Sequence, residues 1–150
     1  MNDRLKDFRN LKKVNEYMRF ISEDNWRLIS SNDEKTLRYL KAFNEIVNCN
    51  INAFSTIPLS CSNELLNNWL LRNMHVIETP FLYECTWLLP YVANSSFWCS
   101  ISTPSLQKLI LYQLDSIRQS GLCVIDTTRE IIYDFECDES TLQCRKQIIV

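Results

Sequence analysis

Glycine and histidine are almost absent from this chain, which has one of each in 150 residues. P-loop and dinucleotide-binding fingerprints need several glycines so that the backbone can approach phosphate closely, and the single Gly121 excludes both. A cysteine nucleophile would need His75 beside a thiol, and the sequence around His75 supplies no such arrangement. We therefore expect a protein that is not an enzyme and that needs no cofactor.

The spacing of a metal site is also missing. The chain has seven cysteines but no C-x-x-C pair, and a structural zinc site needs paired cysteines at close spacing. The N-terminal stretch MNDRLKDFRNLKK is charged from its start, unlike a secretory signal. With an odd count and irregular spacing, the cysteines predict reduced thiols in an intracellular, reducing compartment, either nucleus or cytoplasm. No metal is expected.

A charge excess of either sign is lacking as well. The net charge is −2 and the isoelectric point is about 5.4, so no global basic field would recruit nucleic acid. The least polar window, residues 81–101, contains Glu84, Pro90 and Asn94, and we expect no membrane span. What the chain does have is 46% hydrophobic and 11% aromatic residues, which argues for a folded protein, most simply one domain over 1–150.

Apolar residues recur every three or four positions in five stretches. They predict helices at about residues 3–21, 32–54, 62–77, 80–93 and 104–120. Ser31–Glu34 fits a capping box, while Thr79-Pro80 and Thr103-Pro104 each pair a cap with proline at the first helical position. Pro90 predicts a kink or an early stop in the fourth helix. Gly121 can adopt the left-handed conformation that ends the fifth.

Residues after Gly121 change in character. β-branched and aromatic residues predict a small antiparallel β element at about 122–126, 129–136 and 142–150, with Asp126-Thr127-Thr128 as the first turn. The predicted fold class is therefore α+β and mainly α.

The helix, the glycine and the hairpin together resemble the second half of a winged-helix domain, with residues 62–93 supplying the earlier helices and the likeness extending over 62–137. This resemblance implies a nucleic-acid-binding or a protein-binding function. A helix that reads DNA presents basic and amide side chains to the bases. Here Lys108 and Arg118 are opposed by Asp115 and by an acidic hairpin, so DNA binding is disfavoured. A viral Bcl-2-like helical module is a second alternative, against which the predicted strands argue.

The region between Phe81 and Trp98 is dense in aromatic residues, which form either core or a binding patch. Trp and Tyr dominate the energy of buried interface anchors, and residues 78–107 contain no basic residue. We predict a non-catalytic protein–protein interaction subunit or adaptor of an intracellular multiprotein complex, with homo-oligomerisation as the alternative. The predicted partner-binding residues lie in this region and in the first amphipathic helix: Trp87, Tyr91, Phe97, Trp98, Leu5 and Phe8.

Overall fold

A single antiparallel sheet forms the centre of the molecule. The computed structural model describes residues 9, 12–13, 15–16, 25–29, 34–48, 51–84, 98–102 and 105–150. The strands within them are β1 (Trp26–Ile29), β2 (Ser55–Pro58), β3 (Phe81–Glu84), β4 (Trp98–Ile101), β5 (Leu122–Asp126), β6 (Ile131–Cys137) and β7 (Thr141–Ile148). Their order across the sheet is β1-β4-β3-β5-β6-β7-β2, and all neighbours are antiparallel.

Three helices with defined bounds pack on this sheet: α1 (Glu34–Asn48), α2 (Asn63–Met74) and α3 (Leu106–Ser120). Ser62 caps α2 by accepting a hydrogen bond from the backbone N–H of Leu65, and Ser105 caps α3 in the same way. Gly121 ends α3 with a φ of 77°, where a Cβ would collide with the carbonyl oxygen of Phe135. The predicted role of Gly121 is confirmed.

The sheet separates two hydrophobic cores. The larger lies under α2 and α3, which contribute apolar residues that include Leu66, Leu70, Leu109, Ile110 and Ile117. The smaller lies under α1, and its buried members are Tyr39, Ala42, Ile46, Leu82, Trp98, Cys123, Ile125, Ile132 and Ile149. Because successive strand residues point to opposite faces, the central strands contribute to both cores at once.

Polar contacts hold each helical layer on the sheet. On one face, Trp69 Nε1 of α2 donates to Ser55 Oγ of β2 at 2.8 Å. On the other face, Arg38 of α1 pairs with Glu130 at 3.1 Å, and Gln147 of β7 donates to Glu45 of α1 at 3.1 Å. These contacts place α1 above β6 and β7.

The mainly helical fold class predicted from the sequence is wrong, because the sheet is the largest element of the structure. Helices on both faces of a sheet bury its central strands completely, so that these strands lack the alternation of apolar and polar residues. All four residues of β3 are buried, as are three of the four in β4. Their apolar runs carry no strand signature.

The helix predicted at 80–93 is wrong over Phe81–Glu84, which is β3; its remainder lies outside the described residues. The helix predicted at 32–54 ends at Asn48, and the chain then forms β2. The helices predicted at 62–77 and 104–120 correspond to α2 and α3. Most of the helix predicted at 3–21 lies outside the described residues, of which Arg9, Lys12, Lys13, Asn15 and Glu16 are helical.

The winged-helix-like arrangement predicted over 62–137 is also wrong. Strand β3 pairs with β4 on one side and with β5 on the other, so the hairpin of β5 and β6 continues a large sheet. The C-terminal strands lie where they were predicted, but they are part of seven rather than a small separate element. In the described part of the chain, no helix combines the length and apolarity that a membrane crossing requires.

Candidate functional site

The residues predicted to bind a partner fall mostly outside the described part of the chain, where Leu5, Phe8, Trp87, Tyr91 and Phe97 lie. Trp98 is described, and it is fully buried in the smaller core. Its ring meets the ring of Phe43 edge to face, with 5.7 Å between the centroids. Partner binding through these six residues stays a prediction, and contact through Trp98 would require neighbouring side chains to move.

Half of β7 has no neighbouring strand on its outer side among the strands that the structure describes. Strand β2 pairs only with Thr141–Cys144, and a hydrogen bond from the N–H of Phe54 to the carbonyl of Cys144 ends this ladder. Beyond that point β7 continues as Arg145–Ile148, which is paired with β6 alone among the described strands. We call Phe54 together with Arg145–Ile148 the open edge.

The direction of the backbone in the open edge follows from two hydrogen bonds. The N–H of Ile149 donates to the carbonyl of Glu130, which lies on the β6 side, whereas the carbonyl of Cys144 accepts from the β2 side. Backbone groups alternate along an antiparallel strand. The N–H and C=O of Lys146 and Ile148 therefore point outward, into the position that a longer β2 would occupy.

The side chains at the open edge combine exposed apolar surface with one exposed positive charge, that of Lys146. Phe54 is 48% exposed and Ile148 is 69% exposed. The Lys146 ammonium lies 4.8 Å from the centroid of the Phe54 ring, a cation–π contact that keeps the charge beside the strand. Exposed apolar side chains next to unpaired strand backbone form a template for another strand.

A second candidate site is an acidic cleft of about 170 Å³ between α1 and the sheet. Phe43 and Val47 of α1 form its apolar wall, and Glu84, Asp134 and Glu136 lie on the sheet side. Glu84 and Asp134 are buried. The pairing of the strands produces this arrangement, because residues from β3 and β6 share the face that α1 covers.

Burial raises the pKa of Asp134 to about 6, and the nearby carboxylates of Glu136 and Glu84 act in the same direction. The guanidinium of Arg145, opposite Asp134 on β7, lowers this pKa but does not cancel the effect of burial. Its Nη1 lies 3.9 Å from Asp134 Oδ2 and also bonds to the Glu136 carboxylate. Asp134 can therefore exchange a proton near neutral pH.

The thiol of Cys123 also lines the cleft. Burial raises its pKa well above the ordinary value, and the charges of Asp134 and Glu84 raise it further. A thiol in such surroundings stays protonated and is a poor nucleophile. The described cysteines, Cys61, Cys99, Cys123, Cys137 and Cys144, are all free thiols.

The cleft contains little of what metal or nucleophilic chemistry needs. Among the described residues, no three His, Cys, Asp or Glu side chains are grouped so that they could hold a metal ion. His75 lies exposed where α2 ends, with a φ of 58°, and does not line the cleft. Asp134 is a cleft residue whose pKa is moved towards neutrality.

Both sites were missed by reasoning from the sequence. Asp134 stands between Tyr133 and Phe135 in an apolar run, and this context was the available signal for a buried carboxyl. The open edge depends on where β2 stops relative to β7, and 82 residues lie between the end of β2 and the start of β7. No local pattern reports such a pairing.

Comparison of the chain with protein-family models, with curated proteins and with solved structures finds no match.

Proposed function

We propose that this protein is a non-catalytic protein-binding subunit, and that it receives an extended segment of a partner protein at the open edge. One observation carries the proposal: the backbone groups of Lys146 and Ile148 point away from β6, on a side where no described strand pairs with them, beside exposed apolar side chains. Strand addition is a common way for a sheet to bind a peptide, because main-chain hydrogen bonds supply affinity and side-chain positions supply specificity.

The two halves of the outer side of β7, one covered by β2 and the other the open edge, differ in how they are protected against unwanted strand pairing. The outer strand β2 is four residues long and contains Pro58, which is a usual defence of a sheet edge. The other half has no proline and exposes Ile148. Lys146 is the one residue there that would discourage random pairing, and its ammonium lies over Phe54 rather than across the edge. This contrast favours a binding role for the open edge.

The test uses random eight-residue peptides displayed on phage and selected against the full chain. The selected peptides are then measured on the wild type and on Ile148→Pro, which removes an outward-facing N–H and places a proline ring in the path of an incoming strand. We expect Ile148→Pro to weaken binding at least about ten-fold, the effect of about 1.4 kcal/mol, with an unchanged circular dichroism spectrum. Ile148→Val, which keeps both the N–H and the apolar side chain, is the matched control.

Methylation of the peptide backbone gives a second readout. N-methyl groups at alternate positions that face β7 should abolish binding, whereas N-methyl groups at the other alternate positions should leave it intact. Selection that yields no binder, or binders equally tight on Ile148→Pro, would contradict the proposal. Peptides that instead tolerate both methylation patterns would show that binding does not use strand pairing.

A further inference from the structure

The residues of an added strand would take defined faces. Lys146 and Ile148 lie on the same face of β7 as the buried Cys144, which is the side covered by α2 and α3. A partner residue directly beside Lys146 would project on that face, and so would the residue two positions away, beside Ile148. The side chains of the added strand alternate between the two faces whether it runs parallel or antiparallel to β7.

The charge on this face of the open edge is positive. Lys146 has no carboxylate partner within 4 Å among the described residues, since its close contact is the ring of Phe54. Arg129 lies on the same side of the sheet, but its guanidinium is 3.8 Å from the buried carboxylate of Asp126. The ammonium of Lys146 is thus the charge left for a partner.

The side chains on the opposite face of the open edge have polar partners within the chain, and their two atoms that lack one, Arg145 Nε and Gln147 Oε1, are buried. Arg145 pairs with Glu136 and Asp134 of β6. Gln147 donates to the carboxylate of Glu45 in α1. A partner side chain on this face would meet groups that already have partners, so selectivity must come from the face of Lys146 and Ile148.

A second copy of this chain is a poor occupant. In a two-fold antiparallel pairing centred on Lys146, the two ammonium groups would lie directly opposite each other. If the pairing is centred on Gln147 instead, they become diagonal neighbours on one face, about 7–8 Å apart between their Cα atoms. Like charges at either spacing oppose association. The charge pattern therefore favours a different chain that carries the opposite charge.

We infer that the partner segment is an extended peptide that places an acidic residue beside Lys146 and an apolar residue two positions away, beside Ile148. This inference rests on the function proposed above, and it narrows the partner to segments with the spacing acidic–any–apolar in one direction or the other. The carboxylate would bind the Lys146 ammonium, and the apolar side chain would cover Ile148 and the exposed edge of the Phe54 ring.

The experiment compares three matched peptides drawn from the phage selection: the selected sequence, its Glu→Gln version and its Glu→Lys version. Each is titrated by fluorescence polarisation against the full chain, against Lys146→Glu and against Lys108→Glu. Lys108 is an exposed lysine on α3 and serves as the control for a general change of charge. Low and high salt are compared, because an exposed ion pair weakens as salt screens it.

We expect acidic residues to be enriched two positions from an apolar residue among the selected sequences. Glu→Gln should weaken binding about two- to five-fold, the range of one exposed ion pair. Lys146→Glu should weaken the acidic peptide about ten-fold and should restore binding of the Glu→Lys version, while Lys108→Glu changes neither. The salt dependence should disappear with the Glu→Gln peptide.

The outcomes separate the two proposals. Binding that Ile148→Pro abolishes, but that shows no preference for acidic peptides and no response to Lys146→Glu, overturns this inference and leaves strand addition in place. Binding that survives Ile148→Pro overturns strand addition itself. Concentration-dependent self-association that Ile148→Pro abolishes, in the absence of peptide binding, would identify a second copy as the occupant and would also overturn the inference.

Discussion

At the scale of single residues, Asp134 combines a structural and an electrostatic role. It occupies a buried position on β6, where a carboxylate costs free energy because water is excluded. Arg145 offsets part of this cost, but the neighbouring carboxylates of Glu84 and Glu136 add to it. The net effect is a raised pKa in the folded chain, so Asp134 should make stability depend on pH.

The sign of this dependence follows from the raised pKa, which moves from 3.8 to about 6 on folding. Between these values the folded state holds more protons than the unfolded state, so the free energy of unfolding falls as pH rises through this window. The free-energy cost of keeping Asp134 ionised in the folded chain is complete above about pH 6 and absent below about pH 4. Asp134→Asn should therefore raise stability at pH 7 by about 1–2 kcal/mol, less than the whole shift because Arg145 loses a partner.

Urea unfolding of the wild type and of Asp134→Asn at several pH values between 4 and 7 measures this difference. The difference in the free energy of unfolding between the two proteins should grow from about pH 4 to about pH 6 and then remain constant. Asp115→Asn, at an exposed position on α3, is the control for the loss of one carboxylate charge. A gap of the same size at every pH would show that Asp134 is ionised throughout the range.

At the scale of elements, alternate amides in the second half of β7, Arg145–Ile148, should differ in hydrogen exchange. The amides of Arg145 and Gln147 face β6, whereas those of Lys146 and Ile148 face outward. We expect the outward amides to exchange at least about ten-fold faster, since they lack a strand partner. Exchange followed by NMR on the labelled full chain measures the four rates side by side. Equal protection along Arg145–Ile148 would mean that another segment covers the open edge.

The elements also show how far the sequence could be interpreted. Helices α2 and α3 were predictable because their apolar stripes and Gly121 are local signals, although α3 is capped by Ser105 and not by Thr103 as predicted. The hairpin of β5 and β6 was predictable because the turn at Asp126-Thr127-Thr128 is local as well; Asp126 accepts hydrogen bonds from the two N–H groups that follow Thr127.

Strand β3 was not predictable in the same way. Phe81, Leu82 and Cys85 happen to have helical spacing after Thr79-Pro80, and a strand buried on both faces gives no alternation to oppose that interpretation. Strand β2 was not predicted, because Pro58 is unusual within a strand and is tolerated only at a sheet edge. Long-range pairing decided both cases, and no local pattern contains it.

At the scale of the whole molecule, one sheet joins two cores of unequal size. Ile46 anchors α1 in the smaller core, and Leu70 anchors α2 in the larger. Because β3, β5 and β6 contribute side chains to both cores, loss of packing on one face of the sheet should also destabilise the other face. We expect one cooperative unfolding transition for the chain.

Ile46→Ala and Leu70→Ala should each lower the free energy of unfolding by about 2–5 kcal/mol, since both side chains are fully buried. Far-UV circular dichroism and tryptophan fluorescence should give the same midpoint in urea for each variant. Leu65→Ala, at an exposed position on α2, should change stability by less than about 0.5 kcal/mol. A separate early transition in Ile46→Ala would show that α1 unfolds independently of the sheet.

Helices shelter both broad surfaces of the sheet, and this limits the geometry of any assembly that involves β-structure. Face-to-face stacking of sheets would first require a helix to be displaced, whereas lateral growth at the open edge displaces none of the described strands. Complexes of this protein should therefore widen the sheet by a strand at its rim, and cross-linked or crystallised assemblies should show the partner there, level with the plane of the sheet.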